Sequence, residues 1–82
     1  MSNLPRIYFD TNDRDDSGPE AYSLNISGAQ KDIQRLGDSI HPGMRVLLYM
    51  TDELEVEAIL QYNSQYQYWV GHADMSTLHY LT

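Results

Sequence analysis

Between positions 44 and 81 apolar and polar residues alternate in four successive runs, 44–51, 54–62, 65–71 and 76–81, each ended by turn-forming residues. Side chains of a strand point alternately to its two faces, so a period of two is the mark of a half-buried β-strand. The connections fall at Asp52-Glu53, Asn63-Ser64 and His72-Ala73-Asp74, short enough for hairpins, and the whole stretch reads as an antiparallel β-meander. In the second run, Leu54, Val56, Ala58, Leu60 and Tyr62 share one face, and Glu55, Glu57 and Gln61 share the other.

Upstream, residues 4–10 alternate Ile7 and Phe9 against Arg6, Tyr8 and Asp10 and predict a first strand. Residues 11–20 follow without one apolar side chain. Asp10, Asp13, Asp15 and Asp16 repel one another there, and Gly18-Pro19 punctuates the end, so this stretch is expected to be an exposed, mobile acidic loop. Residues 21–26 place Tyr22, Leu24 and Ile26 at period two, a second strand free to pair with the first.

A change of period marks the helix. Ala29, Ile33, Leu36 and Ile40 form a stripe at helical spacing, Ser27 is a suitable N-cap, and Gln30 stands where a capping box needs it. Gly37 supplies a C-terminal stop and Pro42-Gly43 prevents continuation, which places the helix at 28–36.

The meander carries apolar residues on both faces. Leu47, Tyr49, Ile59 and Trp69 are out of phase with Met44, Val46, Leu48, Val56, Leu60, Tyr68 and Val70. Curling the sheet would bury the first set inside and leave the second for the helix. The expected fold is therefore α+β and mainly β: a small, partly open SH3-like barrel or antiparallel β-meander of about five to six strands, with one short helix packed on it. In strand count and strand length this resembles the SH3-like and Tudor-like small barrels. No residue motif of either family is present, and the resemblance implies nothing about activity.

Composition narrows the functional classes. Eighty-two residues make one domain with a small core, and the absence of cysteine removes disulfides, thiolate metal sites and cysteine catalysis. Five basic against twelve acidic side chains give a net charge of −7, which opposes binding to nucleic acid or to an anionic membrane and favours a protein partner with a basic or mixed surface. No charged-then-apolar leader opens the chain and no apolar run is long enough to span a bilayer, so a cytoplasmic protein is expected.

Candidate chemistry is sparse. Asp13, Asp15, Ser17 and Gly18 copy the first half of a calcium loop, but Leu24 stands where the bidentate glutamate belongs, so a solvated acidic loop is the better reading. His41, His72 and His79 lack the spacing of a zinc site, and the serines and threonines lack a nucleophile elbow. No metal, no cofactor and no catalytic group is assigned, and the chain is not expected to be an enzyme.

Two surface features remain. Asp52, Glu53, Glu55 and Glu57 form an acidic ridge along the first hairpin, and five of the seven tyrosines, Tyr49, Tyr62, Tyr66, Tyr68 and Tyr80, concentrate with Trp69 in the meander, where such rings serve either as strand residues or as binding anchors. The expected function is a small interaction or regulatory module that binds through Tyr49, Asp52, Glu53, Glu55, Glu57 and Tyr66. An acidic inhibitor or decoy of a basic protein, in the manner of immunity proteins, antitoxins or DNA mimics, is the alternative. A divalent-metal-dependent enzyme subunit built on the acidic loop is a third.

Overall fold

A computed structural model describes residues 4–81. Among them six strands and one helix follow in the order β1 (Arg6–Tyr8), β2 (Ala21–Ser23), α1 (Ser27–Leu36), β3 (Arg45–Met50), β4 (Leu54–Asn63), β5 (Tyr68–Ala73) and β6 (His79–Tyr80), with 3-10 turns at Gly37–Ser39 and Met75–Thr77. The strands form one mixed sheet in the order β1-β3-β4-β5-β2, and β6 lies beside β4. The sheet does not close, and the α+β, mainly β class read from the sequence holds.

The long β4 is the spine. Its residues 54–59 pair with β3 and its residues 58–63 with β5, while β6 takes the edge at Leu54 and Glu55 that β5 leaves uncovered. The last strand is thus not the fourth member of a simple meander. After β5, Asp74 caps the Met75–Thr77 turn by accepting the Ser76 amide at 3.2 Å. That turn sends the chain back along β4, where Thr77 Oγ1 accepts the Glu57 amide at 2.8 Å. Nor do the first two strands pair with each other. β1 runs parallel to β3 (Ile7 opposite Leu48) and β2 antiparallel to β5 (Tyr22 opposite Gly71).

The expected assignment of the two meander faces is reversed. The interior is built from Ile7, Phe9, Tyr22, Leu24, Ala29, Val46, Leu48, Val56, Ala58 and Leu60, whereas Leu47, Tyr49 and Ile59 look outward and are half-buried. The β3–β4 register supplies the reason. Leu47 sits directly opposite Glu57 and Tyr49 directly opposite Glu55, so burying their face would bury two carboxylates as well. Trp69 departs from the set of Leu47, Tyr49 and Ile59 for a related reason. The β4–β5 loop holds residues 64–67, and a loop of even length brings odd positions of β5 beside even positions of β4. Trp69 therefore pairs with Tyr62 on the interior side, and Val70 falls opposite Gln61 on the outer face. Gly71 lets the sheet close up at this point: a Cβ there would stand 2.8 Å from Leu48 Cδ1.

The helix begins one residue earlier than expected, with Ile26 as N-cap and no side-chain cap, so the capping box does not form. Gln30 Nε2 instead donates to Asn25 Oδ1 at 2.8 Å. Gly37 ends the helix as foreseen, at φ 56°, with its amide bonded into the last turn. Ala29 is buried, and Ile33, Leu36 and Ile40 pack partly buried against the core. The second buried helix position is Asp32, which is 6% exposed. Its Oδ2 accepts the Tyr8 amide at 2.9 Å and the Tyr49 hydroxyl at 3.1 Å, and its Oδ1 lies 3.0 Å from Arg35. One carboxylate thereby caps the Tyr8 amide on the free edge of β1 and fastens the helix to the sheet.

Candidate binding surface at the two ends of β4

The residues singled out in the sequence separate into two groups. Tyr49, Asp52, Glu53, Glu55 and Glu57 gather at the β3–β4 turn, and Tyr66 lies in the β4–β5 turn, about 30 Å away at the usual rise of a strand. At the β3–β4 end the chain turns through residues 51–53: the Glu53 amide donates to the Met50 carbonyl at 2.9 Å, and Asp52 takes a left-handed φ of 61°. Asp52 and Glu53 are exposed.

The rest of the ridge is neutralised from within. Arg6 Nη1 lies 2.6 Å from Glu55 Oε2, and Arg45 reaches Glu57 at 2.8 Å and Asp74 at 3.6 Å. The Arg6 guanidinium also covers the Tyr49 ring, 4.6 Å from its centroid. Burial, then the hydrogen bond to Asp32 and its charge, push the Tyr49 phenol above its ordinary value. Tyr49 is thus a tie between helix and sheet, held from above and below.

The β4–β5 end is built differently. Asn63 organises the turn: its Oδ1 accepts the amides of Gln65 at 3.0 Å and Tyr66 at 3.2 Å, and its carbonyl accepts Gln67 at 2.7 Å. Gln67 completes the turn at a left-handed φ of 61°. The strand expected at 65–71 consequently begins only at Tyr68. Tyr66 is carried outward, 52% exposed, and stacks on Tyr68 with ring centroids 5.8 Å apart and planes 17° from parallel.

The acidic loop folds onto this turn. The expectation of a wholly exposed stretch over 11–20 is corrected at Asp15, which is 5% exposed. Arg14 bridges to Tyr22, the Asp15 amide donates to the Ala21 carbonyl at 2.9 Å, and the Ser23 amide donates to the Asp13 carbonyl at 2.8 Å, so the loop runs beside β2. The Asp15 carboxylate accepts the Tyr68 hydroxyl at 2.6 Å, Asn63 Nδ2 at 3.2 Å and the Ser17 amide at 3.0 Å. These bonds join three segments that are distant in sequence. Val70 is 2% exposed although it lies on the outer face, between Gln61 of β4 and Ser23 of β2 at the floor of the cleft described below.

The electrostatics follow from the same contacts. Burial raises the Asp15 carboxyl, but the bonds from Ser17, Tyr68 and Asn63 together outweigh it and hold the group below its ordinary value. The Tyr68 phenol is pushed up to about 12, chiefly by its hydrogen bond to Asp15, then by burial and by the charges of Asp15, Tyr66 and Asp16. With its carboxylate turned inward, Asp15 does not serve the half calcium loop. Among the described residues no group of three or more His, Asp or Glu side chains converges as a metal site would need. Among the same residues no helix is long and apolar enough to cross a membrane.

Two concavities flank the end of this hairpin, and Tyr62 lines both. The outer cleft, about 630 Å³, lies between the acidic loop and the turn and is walled by Asp16, Ser17, Asn63, Gln65, Tyr66 and His72. The inner groove, about 510 Å³, lies between the hairpin and α1, with Leu24, Ile33 and Trp69 as its apolar part and Lys31, Gln34 and Gln67 among its polar residues. Tyr62 and Trp69 meet edge to face across it, 5.2 Å between centroids. Of these residues only Tyr66 was assigned to a site from the sequence. Asn63 as turn former and the alternation of Asp13 and Asp15 were the available local signals for the rest. Searches against protein-family models, curated proteins and solved structures return no match for this chain.

Proposed function

We propose that the protein is a small protein-interaction module that docks its partner at the β4–β5 end. The observation that carries this reading is the concentration of half-exposed rings there, Tyr62 at 46% and Tyr66 at 52%, between two concavities. Rigid aromatic side chains beside neutral and acidic polar groups have the make-up of an interface centre, where large contact area is gained at low conformational cost. The acidic ridge at the opposite end is less suited to the role. Arg6 and Arg45 already satisfy Glu55 and Glu57, and a partner would have to replace contacts the chain makes with itself. The same pairing weakens the decoy reading, which needs a continuous free acidic face.

The partner of this reading is a protein whose surface is basic or mixed, drawn by the net charge of −7 and held by the tyrosines. Site-specific photocrosslinking in extracts of the native host tests the choice of end. A photoreactive residue in place of Gln65 is expected to trap a discrete partner, and Tyr62→Ala is expected to abolish the adduct in a chain that still melts cooperatively. Adducts formed from position 53 and not from position 65 would place docking at the acidic ridge and overturn the reading.

A further inference from the structure

We propose that the outer cleft receives an arginine side chain presented by the partner protein, an assignment that rests on the docking reading above and names the chemistry of the contact. The molecule displays the same recognition elsewhere with one of its own arginines. At the β3–β4 end, a tyrosine ring and a carboxylate hold Arg6: its guanidinium lies 4.6 Å from the Tyr49 centroid and its Nη1 2.6 Å from Glu55. On β2, the Arg14 guanidinium stands 5.5 Å from the Tyr22 centroid and donates to the Pro19 carbonyl, a ring contact without an ion pair to a carboxylate among the described residues.

A second pairing of ring and carboxylate is Tyr66, backed by Tyr68, with Asp16 in the outer cleft. No lysine or arginine of the chain serves it. All five lie among the described residues: Arg6 and Arg14 are placed as above, Arg35 pairs with Asp32, Arg45 pairs with Glu57 and Asp74, and Lys31 lies on the inner groove. Asp16 is exposed and makes no ion pair among the described residues, although its charge reaches Tyr68.

Three properties of the cleft favour a guanidinium over an ammonium. The Tyr66 ring is stacked on Tyr68, and Tyr68 is fixed by its bond to Asp15, so Tyr66 offers one preset face. A planar cation can lie on that face, as Arg6 lies on Tyr49. The exposed Asp16 carboxylate, which lines the same cleft, can take two parallel N–H bonds, a geometry that lysine cannot provide. Ser17, Ser64 and Gln65 on the same walls supply acceptors for the remaining donors. The volume of about 630 Å³ admits the side chain together with neighbouring backbone of an extended segment. Asp15, Asp16 and the net charge of −7 complement a basic segment and oppose an acidic one.

The test uses the full-length ¹⁵N-labelled chain and three capped tripeptides of the form Gly-X-Gly, with X as arginine, lysine or citrulline, the last being the uncharged isostere of arginine. The arginine peptide is expected to give saturable amide shifts at Asp16, Ser17, Gln65 and Tyr66, the lysine peptide to bind at least about threefold more weakly, and citrulline to give none. Asp16→Asn and Tyr66→Ala, both at exposed positions, are each expected to weaken the arginine peptide by about threefold or more while leaving the remaining amide spectrum in place. Equal binding of citrulline, or shifts centred on Lys31 and Gln34 or on Asp52 and Glu53, would overturn the assignment. The two proposals fail separately. Arginine-specific shifts in the cleft with crosslinking only at position 53 would overturn the docking reading, and with it the partner as the source of the arginine, while leaving the chemistry of the cleft in place; a partner trapped at position 65 that binds equally well after its contacting arginines are changed to glutamine refutes this one and leaves the docking reading intact.

Discussion

At one end of β4, Tyr49 and Glu55 hold Arg6 between them; at the other, Tyr66 stacks on Tyr68, Tyr68 bonds Asp15, and neither Asp15 nor Asp16 has an arginine paired to it among the described residues. The residue types are the same, and in the sequence the first end looks the stronger site because its acids are consecutive along a hairpin. Three-dimensional pairing inverts that order. β1 arrives parallel to β3 and brings Arg6 over the ridge, while the acidic loop arrives at the far hairpin and adds negative charge to it. Local charge density is therefore a poor guide to a binding surface until the partners of each charge are known. A carboxylate that already has its arginine is part of the scaffold, and one without is available.

The largest effect on this contrast should come from Asp15→Ala. Its carboxylate is buried and accepts from Tyr68, Asn63 and Ser17, and losing a charged acceptor of this kind costs about 2 kcal/mol. Urea unfolding should show that loss, and the rings of Tyr66 and Tyr68 should lose their fixed stacking in nuclear Overhauser spectra. A stability within about 0.5 kcal/mol of the parent would show that the loop does not fasten the hairpin.

The pH dependence of stability sharpens the same point from both sides. The folded Asp15 carboxyl titrates below its ordinary value, so its contribution is complete above the ordinary value near about 4 and is lost as pH falls through the folded one. The folded Tyr68 phenol titrates at about 12, so its contribution is complete below about 10, the ordinary tyrosine value, and is lost as pH rises toward the folded one. Thermal melts across pH should show both limbs in the parent. In Asp15→Ala the alkaline limb should shrink to the part due to Tyr22 and Tyr49, whose phenols are also held above their ordinary value, and the acid limb should retain the part due to Asp74, which bonds to Ser76 hold below its ordinary value. An unchanged alkaline limb in the variant would separate Tyr68 from Asp15.

Arg6→Ala should make the two ends alike. Its ion pair with Glu55 is partly exposed, with the arginine side chain at 48%, so the stability change is expected to stay under about 1 kcal/mol. Uncovering Tyr49 and Glu55 should create a second arginine-peptide site, seen as new amide shifts at Glu55 in the titration described above. Shifts confined to the outer cleft would mean that a ring and a carboxylate do not suffice.

Glu57→Gln should have the smallest effect of the series. The residue pairs with Arg45 in a half-exposed bridge, which predicts a stability change within about 0.5 kcal/mol and an unaltered affinity for the arginine peptide. A change of several fold in that affinity would return the ridge to the mechanism.

What the sequence determined by itself is what short-range physics controls. Alternation over β3, β4 and β5 set the strands, because a side chain's face depends only on its position along its own strand. The helix stripe and Gly37 set α1, because helical spacing and a left-handed stop are written into neighbouring residues. The mainly β class followed from these alone. Tertiary structure decided the rest, and each case has a non-local cause. The interior face was chosen by the cross-strand pairs of Leu47 with Glu57 and Tyr49 with Glu55, which cost too much to bury and become visible only once the register is fixed. The placement of β1, β2 and β6 depended on which sheet edges remained open after β3, β4 and β5 had paired. Asp15 and Asp32, two acids among twelve in the sequence, became buried anchors only because Tyr68 and Asn63 in one case, and Tyr8 and Tyr49 in the other, reach them from far along the chain to satisfy a charge out of water.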